Sequence, residues 1–299
     1  LCRYFPRRAL AVPTGDEPGG GVVTVEQLWN LLDSQNGYDT PADYRPGPAD
    51  RLLGHFDTWY HLRVMGVVVS TSRSLRRSGL PFGQADWGRR SLDVLRAVEA
   101  CGGRVHVRGI EHIKALSGPA VYVGNHMSML ETLVLPVMML KYRLVTMVIK
   151  QSLLEYPVFG TVMRACRPIA VTRRDPREDL RKVMEEGERI LRDEGRSIIV
   201  FPQATRSPQF APAEFNSLGV KLARAAGVPV VPLALKTDFH GIGRWIRDLG
   251  PVARSKPVHF EFGPAMNVTG NGRDQHAACV DFIVSRLRAW GGEVKEIAD

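Results

Sequence analysis

Beyond Gly103 the chain settles into a repeating pattern of short apolar runs. VHVRG (105–109), AVYVGN (120–125), LVTMVIK (144–150), PIAVTR (168–173), SIIVFP (197–202), VPVVPLAL (228–235) and PVHFEFG (257–263) are rich in β-branched residues and end at Gly, Pro or a charge. Such runs predict strands. Helical periodicity fills several of the gaps, most clearly in DPREDLRKVMEEGERILRDEG (175–195). There Asp175 is placed to cap, Pro176 suits the first turn, and Gly195 supplies the stop. Leu180, Val183, Met184, Gly187, Ile190 and Leu191 fall on one face. Residues 215–226 and 274–290 are further helix candidates, as are 84–101, where Leu92, Leu95 and Val98 keep helical spacing. Strands alternating with helices predict an α/β fold: a mixed, mostly parallel central sheet flanked by helices, with ligands near the strand ends.

The first hundred residues are patterned differently. Residues 1–50 are rich in Gly, Pro and Asp, and GDEPGGG (15–21) and PADYRPGPAD (41–50) read as loops around a short helix at 25–34. From 51 to 79 aromatic and apolar residues mix with arginines. Two readings stand there. One is a buried helix; the other is an interfacial helix with Trp59, Tyr60 and the valine run in lipid and arginines at the headgroups. The expected organisation is an irregular segment (1–50), a helical, membrane-associating region (51–103) and an α/β domain (104–299). The longest apolar runs, 64–69 and 133–140, fall far short of the ~20 residues a spanning helix needs. LCRYFPRRALAV at the start is too short in its apolar part for a secretory signal.

Composition narrows the partners only a little. With 299 residues, 44% of them hydrophobic, the chain has ample material for a core. Forty Lys and Arg against 31 Asp and Glu give a formal charge of +9, which suits nucleic acid, an anionic membrane surface or a phosphorylated substrate. Four scattered cysteines without a CxxC suggest neither a disulfide framework nor a zinc site. GxSxG, HExxH, P-loop and GxGxxG patterns with an acidic partner are all missing, so serine-hydrolase, zinc-protease and nucleotide-binding readings lose their support. No RNP-like aromatic pair or basic helix supports nucleic acid as a partner.

Chemistry concentrates in GNHMSMLET (124–132), where His126 follows a predicted strand and Glu131 follows five residues later. In one continuous helix the two would lie about 140° apart and could not meet. SMLE (128–131) fits a capping box, which gives Glu131 a purely structural alternative. If Ser128 caps the helix, however, His126 lies in the preceding turn and its ring can fold back onto the carboxylate. One imidazole nitrogen is then held and the other is available as a base. Downstream, Arg173 and Arg174 end one predicted strand, and Thr205 and Arg206 follow another. Each arginine alone is most simply a solvated charge. Together these turns are able to converge on an anionic acceptor such as a phosphomonoester.

The order of these segments resembles the lysophospholipid (glycerophosphate) acyltransferase family, the PlsC-like enzymes. Asn125-His126 with Glu131 looks like its NH-x4-D motif, and Ile169 to Arg173 like its apolar run ending in arginine. Phe201 to Ser207 looks like FPEGTRS, and Val228 to Pro232 like its VPVVP-type strand. The resemblance covers about 104–264. It implies transfer of a fatty acyl group from acyl-CoA or acyl carrier protein, as co-substrate and without a cofactor or metal, to a hydroxyl of a lysophosphatidate-like lipid acceptor. It implies His126 as base and Glu131 as its orienting acid, with Arg173, Gln203, Thr205 and Arg206 holding the acceptor. It also implies a monotopic or peripheral protein at a membrane surface, on the cytoplasmic face. Two positions depart from the pattern. Glu131 is one methylene longer than Asp, and Gln203-Ala204 stands in place of Glu-Gly. The second change opens the acceptor to a lyso-aminolipid or glycolipid, and a lipid-binding relative without turnover is the reading from another class.

Overall fold

The computed structural model describes residues 24–79, 82–203 and 205–295. The expected loop at 15–21, the arginine-bearing start of the chain and Ala204 lie outside the described residues. The strands are β1 (Tyr38–Asp39), β2 (Val105–Arg108), β3 (Val121–Gly124), β4 (Val145–Lys150), β5 (Ile169–Val171), β6 (Ser197–Val200), β7 (Gln209–Phe210), β8 (Val230–Lys236), β9 (Val258–Phe262) and β10 (Glu293–Val294). The helices are α1 (Val25–Gln35), α2 (Pro48–Leu53), α3 (Asp57–Ser78), α4 (Gln84–Ala100), α5 (Ile110–Lys114), α6 (Leu130–Met139), α7 (Phe159–Ala165), α8 (Pro176–Arg192), α9 (Leu218–Ala226) and α10 (Arg273–Ala289). All seven runs expected to be strands contain one; six are trimmed, and β8 starts later but runs one residue further, to Lys236.

Eight strands form one sheet in the order β1-β2-β9-β8-β3-β6-β4-β5. Only the β1–β2 and β8–β9 pairs are antiparallel. Strand periodicity sends alternate side chains to opposite faces, and β3 shows it: Tyr122 joins the core on one face, Val121 and Val123 the core on the other. The first core collects α1, α3, α4, α6 and α7; the second collects α8, α9 and α10. β8 is buried throughout although it carries Pro232. The proline is tolerated because it sits one residue before the antiparallel ladder with β9 begins at Leu233.

Beyond its first turn helix α6 is apolar on every side, as a helix inside a core must be. Pro136 inside it breaks a backbone bond. Ser91 of α4 bridges the next bond along, which the kink opens: its hydroxyl donates to Leu133 O at 2.6 Å and accepts from Val137 N at 3.0 Å.

Helix α3 resolves part of the ambiguity at 51–79. Tyr60, Val64, Val68 and Leu75 are buried in the shared core, so Tyr60 and much of the valine run pack against protein rather than facing lipid. The apolar residues that α3 does expose are Leu62 and Met65. No helix among the described residues is long and apolar enough to cross a membrane.

Candidate active site

Strand β3 ends at Gly124, where an added Cβ would come within 3.0 Å of Leu233 O; the close approach of backbones suits glycine. The next residue, Asn125, is buried and pairs with β8 like a third strand segment. Its amide nitrogen donates to Leu235 O at 2.6 Å and its oxygen accepts from Leu235 N at 2.9 Å. His126 therefore leaves the sheet at a fixed point.

Glu131, in the first turn of α6, is fully buried, and its carboxylate gathers the histidine turn around it. Oε1 accepts from Met127 N and Ser128 N, each at 2.9 Å, and from the Thr237 hydroxyl. Oε2 takes the His126 ring through Nδ1 at 2.7 Å. Half of the anticipated capping box is present. Glu131 does bond Ser128 N, but the Ser128 hydroxyl accepts from Leu130 N at 3.2 Å rather than from the amide of Glu131. The helix starts at Leu130, so the serine is one place too early to cap it fully. Capping and ring orientation are carried by the same carboxylate. The helix dipole at this end also favours a negative charge.

Three further contacts hold the histidine, one on its ring and two on its backbone. Phe201 stacks on it with centroids 4.4 Å apart and planes 11° apart. Gln203 Oε1 accepts from His126 N at 2.9 Å, and Ser207 N donates to His126 O at 3.0 Å. The turn after β6 thus binds both backbone groups of the histidine. Gln203 is buried behind the turn rather than on the cavity wall.

His126 opens onto a cavity of about 500 Å³. Its walls are of two kinds. Val64 and Val68 of α3, Met147 and Ile149 of β4 and Met163 of α7 make an apolar side; Arg173, Thr205, Arg206 and Arg247 supply donors. Arg173 and Arg174 were expected to end a strand and so to point opposite ways. In fact β5 stops at Val171, and Arg173 adopts φ +60°. The Asp179 carboxylate holds that turn, accepting from Thr172 N at 2.8 Å and Arg173 N at 2.6 Å. Arg173 reaches the cavity wall, and Arg174 is not part of it. Burial pulls the Arg173 guanidinium below its ordinary value while Asp179 opposes the shift; an arginine stays charged regardless.

Sequence reasoning missed the segment after β8. Thr237 bonds both Glu131 and the Ser128 hydroxyl, the latter at 2.9 Å. Asp248 pairs with Arg206 at 2.6 Å, and Arg247 donates to the Thr205 hydroxyl at 3.2 Å. His240, also on the cavity wall, lies between the Tyr60 hydroxyl at 3.0 Å and Asp248 O at 3.1 Å. Burial pushes His240 down to about 4, with His61 beside it adding to the shift. It is therefore neutral near pH 7. The only sequence signal for this segment was Thr237-Asp238 and His240 directly after a buried strand. No grouping of three or more His, Cys, Asp or Glu placed to hold a metal occurs among the described residues.

Comparisons with known proteins identify the family. A family model described as Acyltransferase matches residues 104–236. A 1-acyl-sn-glycerol-3-phosphate acyltransferase of Pseudomonas aeruginosa is 30% identical over 217 residues, which cover 73% of this chain and 78% of that protein. A protein of the same name from Haemophilus influenzae is 28% identical over 181 residues, 58% of this chain and 71% of its own. Among solved structures, the 1-acyl-sn-glycerophosphate (LPA) acyltransferase PlsC from Thermotoga maritima matches 82% of this chain and 98% of its own, with a TM-score of 0.59. At 19% identity that match shows the shared fold. The chain belongs to the acyltransferase family of the 1-acyl-sn-glycerol-3-phosphate acyltransferases.

Proposed function

We propose that this acyltransferase moves a fatty acyl group from acyl-CoA or acyl carrier protein to the hydroxyl of a lysophosphatidate-like lipid, with His126 as general base. The observation that carries the proposal is the 2.7 Å contact between His126 Nδ1 and the buried Glu131 carboxylate, at the edge of a cavity with one apolar and one arginine-bearing wall. Glu131 fixes the tautomer with the proton on Nδ1, so Nε2 accepts the proton of the acceptor hydroxyl. The hydroxyl oxygen attacks the thioester carbonyl, the tetrahedral intermediate collapses with cleavage of the C–S bond, and the imidazolium returns its proton to the departing thiolate. An ester and a free thiol result. The apolar wall suits the acyl chain. Arg173, Thr205 and Arg206 suit the acceptor phosphate, with Arg247 beside them.

Gln203 acts in this scheme through the histidine, by accepting from its amide. The Arg206–Asp248 pair favours a second acceptor class, because it offsets one positive charge in the pocket. A lyso-aminolipid or glycolipid would then be accepted alongside the phosphomonoester. Attachment to the membrane is proposed to be monotopic, through the face of α3 that exposes Leu62 and Met65 and through the excess basic charge. Thiol release from acyl-CoA, followed across lysophosphatidate, lyso-aminolipid and lysoglycolipid acceptors, tests the function. Strong release with lysophosphatidate alone supports the first acceptor class, and release with none of them overturns the proposal.

A further inference from the structure

The segment between β8 and β9 contains a braced finger. His240 and Val252 form an antiparallel bridge at its base. Above it Gly241 N donates to Pro251 O at 2.9 Å, and Gly243 N to Arg247 O at 3.1 Å. The two sides approach so closely that a Cβ on Gly243 would lie 2.1 Å from Ile246 O, and one on Gly250 2.0 Å from Gly241 O. The finger is also fixed to α3: His61 bonds Gly250 O at 2.9 Å, and Asp57 accepts from Val252 N at 3.1 Å. Such bracing sets the tip at a constant position relative to α3.

The tip is apolar and faces water. Trp245 is 90% exposed, Ile246 59% and Leu249 45%. An isolated exposed apolar residue needs no explanation, but three within five positions on a braced turn do. Cations flank them. Arg244 lies over the Trp245 ring, 5.6 Å from its centroid, and Arg247 follows Ile246. Leu249 belongs to the cavity wall, as do Met65 of α3 and Tyr156, both of them exposed as well. Three separate pieces of chain therefore bring exposed apolar surface to one cavity.

We infer that the finger tip Arg244–Ile246 is a second membrane-inserting element, which seats Trp245 and Ile246 in the interface of an anionic bilayer and brings the cavity against the lipid. This rests on the monotopic reading above and adds a contact independent of the helix. An indole suits the bilayer interface, with an apolar body and a polar N–H. The Arg244 guanidinium suits anionic headgroups. An acidic carrier protein would be met by cations alone, whereas here Trp245 and Ile246 stand exposed beside Arg244.

The experiment is flotation of the full chain with vesicles of phosphatidylcholine and phosphatidylglycerol, comparing wild type with Trp245→Ser combined with Ile246→Ser. Acyl transfer is measured in parallel, on acceptor embedded in those vesicles and on short-chain donor and acceptor dissolved as monomers. Vesicle binding is expected to fall roughly tenfold or more, since each large apolar side chain left in water weakens partitioning by about that factor. Transfer to the embedded acceptor should fall in step, transfer between soluble substrates should hold, and Trp245→Phe should restore most of the binding. Undiminished flotation overturns the inference. So does an equal loss on soluble substrates, or a smaller sedimenting species than wild type, which would make the patch a contact between copies of the chain. If flotation falls while wild type transfers no acyl group to any acceptor, the finger stands and the proposed function fails.

Discussion

The histidine turn and the arginine wall face the same cavity but are held in opposite ways. Around His126 the fixing contacts are internal to the protein: a fully buried carboxylate, a stacked phenyl ring, and backbone bonds to Gln203 and Ser207. The arginines lie on turns at the surface, one at positive φ, another in an ion pair with Asp248. A base has one correct orientation and gains from being locked before substrate arrives. A wall proposed to bind phosphate must exchange partners with each turnover, and partly exposed ion pairs, worth ~1 kcal/mol or less, are easily displaced.

The contrast predicts a graded series of effects. His126→Ala should lower turnover by about 10² to 10⁴, with circular dichroism and thermal midpoint little changed; near-normal turnover in a folded variant removes His126 from the chemistry. Next comes Arg173→Ala, expected to raise the acceptor KM by about tenfold or more, as loss of a hydrogen bond to a charged group does, while donor KM holds. Arg174→Ala is the control, and equal effects at the two positions would abolish the distinction drawn at that turn. Thr237→Val keeps shape but leaves Glu131 and Ser128 short of a partner, costing about 1–3 kcal/mol of stability. Chemical denaturation measures the cost, and kcat should fall while both KM values stay.

Asp248→Asn tests the exchangeable wall from the other side. Freeing Arg206 should lower the KM for an anionic acceptor by about two- to fivefold and leave a neutral glycolipid unaffected; no preference between the two would mean Arg206 does not read charge. His240 has the smallest expected influence at neutral pH. Burial holds it at about 4, below the ~6.5 of an unfolded histidine, so acid protonates the unfolded chain first. Its contribution to stability is complete above about 6.5 and drains away as pH falls toward 4. His240→Gln should therefore flatten the thermal midpoint between pH 7 and 4 relative to wild type, and parallel curves would refute the assignment.

How legible each region was in the sequence follows the same division. Strand runs and helix α8 were readable because their periods are local, and the His126–Glu131 pair because both partners sit in one turn. Thr237 was not, since it reaches Glu131 from 106 residues away. Asp248 was hidden for the same reason, 42 residues from its arginine. The Arg173 turn was misjudged because strand alternation was carried past the end of β5, where the Asp179 carboxylate dictates a left-handed residue. Gln203 was read as a group facing substrate because nothing local reveals a bond to the amide of His126, 77 residues earlier. In α3, periodicity marks a face but does not say whether protein or lipid covers it. Burial in the shared core answers that for Tyr60 and Val64, with Tyr60 packed against Phe239 and bonded to His240.

The carboxylate of Glu131 receives four different donors, from two backbone amides, one hydroxyl and one imidazole. Helix initiation, anchoring to the segment after β8 and orientation of the His126 ring are thereby fused into a single side chain, a single point of failure. Glutamine at this position would present an N–H to one of those donors, so shape alone cannot preserve the arrangement. Aspartate would have to draw the turn inward by about one C–C bond length to reach the same partners. Drift at position 131 is thus penalised several times over by one substitution, and any relative carrying the shorter acid there must hold its histidine turn closer to the helix.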